Sequence, residues 1–180
     1  RQKIRKRKID NEIIRGEVLS IQRAFNGLLL RRIFCVGLAV AVLAAIFLFS
    51  NQVNQASQQF SGSIAGWVGE RLHLLTWDDV VEKTARFEEV NLILRKLGHA
   101  CGYLLLSIAV MTALSQFPLP LKRRLVLAAL ICVLYACCDE FHQLFVDGRT
   151  GQMIDVLWDS CGMVIGLEYS CLTILKYRER

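Results

Sequence analysis

Apolar residues in this chain gather in four long blocks set apart by charged stretches. The first, Ile33 to Phe49, is 17 residues without a charge. At about 1.5 Å per residue it reaches roughly 26 Å, just enough for the hydrocarbon core of a bilayer. The second runs from about Leu97 to Phe117 and stops at Pro118-Leu119-Pro120, where two residues lacking an N–H end a helix and start a turn. The third covers 125–145: it is apolar to Cys138, then carries Asp139, Glu140, His142 and Gln143. The fourth, 153–175, is interrupted by Asp155, Asp159 and Glu168. These blocks predict an all-α, four-helix transmembrane bundle. No small-x-small cleavage site follows Phe49, so the first block is expected to remain as a span.

Two other segments carry helical periodicity without the length of a span. In 1–32, Ile14, Val18, Ile21, Phe25 and Leu28 recur every three or four residues among basic side chains, which predicts an amphipathic helix on an anionic membrane surface. Between the first two spans, Phe60, Ile64, Trp67 and Val68, then Val80, Phe87, Val90 and Leu94, predict one or two amphipathic helices covering the outer face. Small residues mark where spans meet: Gly98-x3-Gly102, Ala128-x3-Cys132-x3-Ala136 and Gly162-x3-Gly166. In lipid, close backbone approach replaces the hydrophobic drive that water supplies.

Composition sharpens the picture. The chain is 54% hydrophobic and carries a formal net charge of +6. The excess charge sits beside spans: residues 1–32 hold 10 Lys/Arg against 3 acids, Lys122-Arg123-Arg124 separates spans two and three, and Lys176, Arg178 and Arg180 close the chain. In a four-span protein all three segments fall on one side. The opposite side has 50–96, with 5 Lys/Arg against 6 acids. Positive residues favour the cytoplasmic side, so both termini are expected there in a multi-pass protein of the cell membrane. This layout accounts for the basicity without nucleic acid, for which base-reading motifs are missing. The domain layout is then a basic juxtamembrane segment 1–32, a membrane domain 33–175 and a tail 176–180. All seven cysteines lie inside apolar blocks with no CxxC pair, which suits packing residues rather than disulfides or zinc ligands.

The polar residues within the spans carry the candidate chemistry, because an ionisable group in a bilayer needs a partner or water. Arg95, His99 and Tyr103 stand four apart and form one stripe, with Lys96 beside it. Asp139, Glu140 and Gln143 close the third span; Asp155 and Asp159 open the fourth, one turn apart. Arg149 lies in the turn between them, and Ser50 and Gln52 lie at the exit of the first span. In the four-span topology all of these reach the outer leaflet together. Glu140, His99 and Asp139 are the candidates for proton transfer. Arg95, Lys96 and Arg149 suit an anionic head group, with Tyr103, Gln143, Asp155, Asp159, Ser50 and Gln52 completing a binding site. The acid count would admit a divalent cation on Glu140, Asp155 and Asp159, but no ligand spacing points to a metal, and no cofactor motif occurs. The competing reading is a structural network in which Arg95, Lys96 and Arg149 neutralise the four acids. Glu168 stands deep in the fourth span with no basic neighbour at its depth.

Four blocks together resemble the VanZ-like family of bacterial membrane proteins: Phe49-Ser50-Asn51-Gln52 with Ser57, Ser61 and Ser63; Arg95-Lys96-Leu97-Gly98-His99 with Tyr103; the run from Tyr135 to Val146 containing Asp139-Glu140 and Gln143; and Gly148-Arg149 followed by Asp155, Asp159, Gly162 and Gly166. The resemblance covers about 33–175. Asp147 stands where the family often has Pro, and Ala100 and Gly102 stand where larger residues are common, so the lining of span two is smaller here. The resemblance implies a cell-envelope protein, with a role in resistance to the glycopeptide teicoplanin in the founding member. The expected partners are membrane lipids and an anionic envelope amphiphile, such as a lipid-linked cell-wall precursor or a lipopeptide.

Overall fold

The computed structural model describes residues 2–51, 54–146 and 152–178, and the side chains of 20–51, 62–146 and 152–176. Regular structure among them is entirely helical: α1 (Gln2–Ser50), α2 (Asn54–Arg71), α3 (Trp77–Glu82), α4 (Ala85–Leu114), α5 (Leu121–Gln143) and α6 (Met153–Arg178). Three stretches within these are long and apolar enough to cross a membrane: Ser20–Ser50, Ala85–Ser115 and Leu121–Gln143. α6 is 26 residues long. Asp155, Asp159 and Glu168 leave it less apolar than the other three.

α1 differs from expectation. Instead of a surface helix over 1–32 followed by a span, one uninterrupted helix of 49 residues runs to Ser50. Nothing in the sequence forces a break, because the segment has no proline and its glycines are isolated. Its buried residues, Cys35, Ala39, Ile46 and Ser50, fall on one stripe, while Leu30, Phe34, Val40 and Leu48 face outward. The apolar-outward face suits lipid rather than water. The side chains of Ile14 and Val18 lie outside those described.

α4 is the hub. It packs against α1, α2, α5 and, most extensively, α6. Thr84 caps its start, its side chain accepting from the Phe87 N–H at 3.4 Å. Three turns then precede Leu97, so the charged residues expected at the head of span two stand on a continuous helix. At the far end, Leu119 N–H bonds to Phe117 O and Pro120 caps α5, which turns the chain back. The α4–α6 contact depends on glycine. A Cβ at Gly162 would meet the Ala100 carbonyl, and one at Gly166 would meet the Leu104 carbonyl and the Ser107 hydroxyl. Gly98, by contrast, has nothing within 4 Å, and Gly102 lies against Ile46 of α1, 3.5 Å from its Cγ1. Ala128, Cys132 and Ala136 of α5 are all buried, as the small-residue stripe predicts.

The segment between α1 and α4 is helical, but it braces the head of α4. Ala65 and Leu75 form a small core with Phe87, joined by Val80, Val90 and Leu94. Ile64 and Trp67 are exposed instead of buried, because α2 packs through its small residues; a Cβ at Gly69 would collide with Leu75. α3 begins with a capping box. The Thr76 N–H and hydroxyl donate to Asp79 Oδ2 at 2.9 and 2.7 Å, and the Asp79 N–H returns a bond to the hydroxyl. These donors, with Thr84 Oγ1 at 2.8 Å, hold the half-buried Asp79 carboxyl down at about 2.

Candidate functional site

Each end of the helix cluster has its own chemistry. At one end Arg32 donates to Gln116 O at 3.2 Å and lies over the Phe117 ring, while Arg124 donates to Phe117 O. At the other end the end of α1, the first half of α4, the end of α5 and the start of α6 bring the acids together. There Asn51 Oδ1 lies 3.2 Å from a His142 ring nitrogen, and that ring sits 5.0 Å from Phe47, tying α1 to α5.

A cavity of about 50 Å³ opens at this end among α4, α5 and α6. α4 contributes Leu92, Arg95, Lys96 and His99; α5 contributes Glu140 and Gln143; α6 contributes Asp155, Trp158 and Asp159. Helical spacing explains the set. Arg95 and His99, Asp155 and Asp159 are each four apart, and Glu140 and Gln143 three apart, so each pair shares one face. The Gln143 amide donates to Asp139 Oδ2 at 3.2 Å and to Glu140 Oε1 at 3.4 Å, fixing the two carboxylates relative to each other. Glu140 Oε2 also accepts from the Gln152 backbone N–H at 2.9 Å, which pins the start of α6 to the end of α5. Lys96 Nζ pairs with Asp155 Oδ1 at 2.7 Å, and its ammonium lies 6.0 Å from the Trp158 ring centroid.

Below the rim the site becomes drier. Asp139, Glu140 and Gln143 are 4%, 4% and 6% exposed, and Asp159 is 1% exposed. Among the described residues, both Asp159 oxygens and one Asp139 oxygen have no hydrogen-bond partner. Asp159 lies within electrostatic reach of Glu140, Asp139 and Asp155. Tyr103 is buried beside Tyr135, ring centroids 6.3 Å apart, and stands within electrostatic reach of Asp139 and Asp159 without lining the cavity. Among the described residues the Tyr103 hydroxyl has no partner, whereas that of Tyr135 donates to Leu43 O at 2.6 Å.

Of the residues singled out in the sequence, Arg95, Lys96, His99, Glu140, Gln143, Asp155 and Asp159 surround the cavity. Asp139 and Tyr103 lie behind it. Ser50 is fully buried at the end of α1 and does not line it. Gln52 and Arg149 lie outside the described residues. Glu168 is exposed on the outward face of α6, away from the site. Sequence reasoning missed Trp158 and Gln152 at the site, and also Asn91, a buried polar residue of α4 that does not line the cavity. Asn91, 3% exposed, precedes Arg95 by four residues, so the Arg95–His99–Tyr103 spacing extended one turn earlier would have found it. Trp158 follows Asp155 by three and carries the same signal; Gln152 acts through its backbone and has none. Among the described residues no group of three or more His, Cys, Asp or Glu is arranged to hold a metal ion.

Three apolar helices with an enclosed cluster of charged groups at one end define an α-helical membrane protein with a polar chamber. The VanZ/LLP1 family model matches residues 34–175, and the chain belongs to that family. No match was found among curated proteins or among solved structures.

Proposed function

We propose that this VanZ-family protein binds an anionic envelope amphiphile, a lipid-linked cell-wall precursor, lipid or lipopeptide, in the chamber between α4, α5 and α6. In this reading α6 is a fourth span and the basic residues of 1–32, 122–124 and 176–180 face the cytoplasm. The chamber then opens at the outer leaflet. The observation that carries it is the convergence of charged side chains from three helices on one cavity, opposite the Arg32–Arg124 end. Ionisable groups at such depth are costly unless they meet partners, water or a ligand. Arg95 and Lys96 supply cations for a phosphate or carboxylate, and Glu140, Asp139 and His99 supply groups able to take and return a proton. A contribution to glycopeptide resistance would follow where the amphiphile is a cell-wall precursor or the antibiotic itself.

Purified wild type and Glu140→Gln are compared for co-purifying lipids and lipopeptides, with His99→Ala alongside. The expected result is loss of the bound species from both variants while membrane insertion stays normal. The same ligands at the same occupancy in all three proteins would refute the reading. The 2.7 Å Lys96–Asp155 pair favours a second reading, a scaffold whose ion pairs only hold helix register. That reading requires the substitutions to lower thermal stability in detergent in step with any lost function.

A further inference from the structure

Among the described residues that line the chamber, acids outnumber Lys and Arg. Glu140, Asp155 and Asp159 stand with Arg95, Lys96 and His99, Asp139 lies behind them, and Lys96 is already paired with Asp155. The least exposed of the charged lining residues, Asp159, is 1% exposed, and among the described residues neither of its carboxylate oxygens has a partner. A desolvated carboxylate without donors is expensive, and either a proton or a cationic donor must relieve it. Arg95 is half-buried, one turn before His99, and among the described residues no ion pair engages it. The cavity therefore presents a half-buried cation on α4 and a fully buried, unsatisfied acceptor on α6.

We infer that the chamber takes a zwitterionic head group carrying a primary ammonium, of the phosphoethanolamine kind, with the phosphate at Arg95 and the ammonium against Asp159. This rests on the amphiphile-binding reading: it keeps that reading's anionic phosphate at the cations and adds an ammonium for the acids, so the head group carries no net charge. A volume of about 50 Å³ suits the ammonium and its two-carbon arm. One water needs roughly 10–15 Å³ on the same measure, so about four heavy atoms fit, and the phosphate at Arg95 and the acyl chains stay outside that space. A primary ammonium offers three donors in a compact group, which matches two empty carboxylate oxygens. Methylation removes those donors and enlarges the group. Trp158, beside Lys96 at the cavity wall, adds an aromatic surface that a cation can also approach. No bond is made or broken in this step, which is binding alone.

Native mass spectrometry of the detergent-purified full chain, titrated with phosphatidylethanolamine, its N-methyl and N,N-dimethyl forms, phosphatidylcholine and phosphatidylglycerol, tests this. Wild type is expected to prefer phosphatidylethanolamine over phosphatidylglycerol and phosphatidylcholine by at least about tenfold, the effect of one charge-assisted hydrogen bond. Affinity should fall at each methylation. Asp159→Asn keeps the shape and removes the charge, so it should bring the ethanolamine-to-glycerol ratio to about one. Arg95→Gln should weaken both lipids equally. Displacement by soluble phosphoethanolamine would also support the ammonium site and assign its source to solution. Equal binding of ethanolamine and glycerol head groups by wild type would overturn the inference while leaving the anionic-amphiphile reading intact; binding of none of the lipids would remove both. The wild-type series decides the matter even if Asp159→Asn fails to fold.

Discussion

Asp79 and Lys96 show how differently a charge behaves at the edge and inside this protein. Asp79 is half-buried at the head of α3, and donors from Thr76 and Thr84 hold its carboxyl at about 2. Its folded value lies below the ordinary 3.8, so its contribution is complete above that value and lost as pH falls through about 2. Carboxyl NMR of Asp79 should therefore show it ionised at pH 3, and Thr76→Ala should return its titration toward the ordinary range. Lys96 and Asp155 are 23% and 31% exposed at the side chain. Lys96→Met should thus cost about 1 kcal/mol in thermal or chaotropic unfolding, less than a fully buried pair would. At this scale the sequence was readable wherever spacing carried the information. Asn91, Arg95, His99, Tyr103 and Ser107 repeat every four residues along α4, and three of the five were legible as one stripe. Satisfaction was not legible: spacing cannot say that Gln143 would occupy one oxygen of Asp139 and leave the other empty.

At the scale of elements, close packing of α4 on α6 makes a sharp prediction. Gly162→Ala or Gly166→Ala places a methyl against a backbone carbonyl, which cannot swing aside as a flexible side chain does. Each should lower stability by roughly 1–3 kcal/mol, seen as a reduced melting temperature in detergent. Gly98→Ala, in open space, should leave it unchanged. The two motifs looked alike in the sequence, and only the facing helix distinguishes them. Helix ends set by proline were legible, as at Pro118 and Pro120. Starts were not: the charged turns from Ala85 to Lys96 belong to α4 although they are too polar for a bilayer core, because a helix continues wherever its hydrogen bonds do. The same reason joins the basic arm to the first span. The acids that make α6 functionally interesting also weaken its hydropathy signal, so site and span compete for the same residues.

For the whole molecule, the proposed topology predicts opposite labelling of two exposed positions. A membrane-impermeant maleimide applied to intact cells should modify Glu70→Cys in α2 and leave Arg123→Cys in the first turn of α5 unmodified until the membrane is opened. Both variants need the native cysteines, several of which are exposed on the helix surfaces, replaced beforehand. The reverse pattern would invert the topology and point the chamber toward the cytoplasm. The glycine contact at Gly162 has a further bearing on what can enter. Ala100 and Gly162 each lie within a turn of His99 and Asp159, so the two helices touch directly beneath the acids and cannot splay to admit bulk. On the proposed reading, visitors would thus be sorted by girth: a slim tip could be tasted, while everything broad behind it would wait in the surrounding oil.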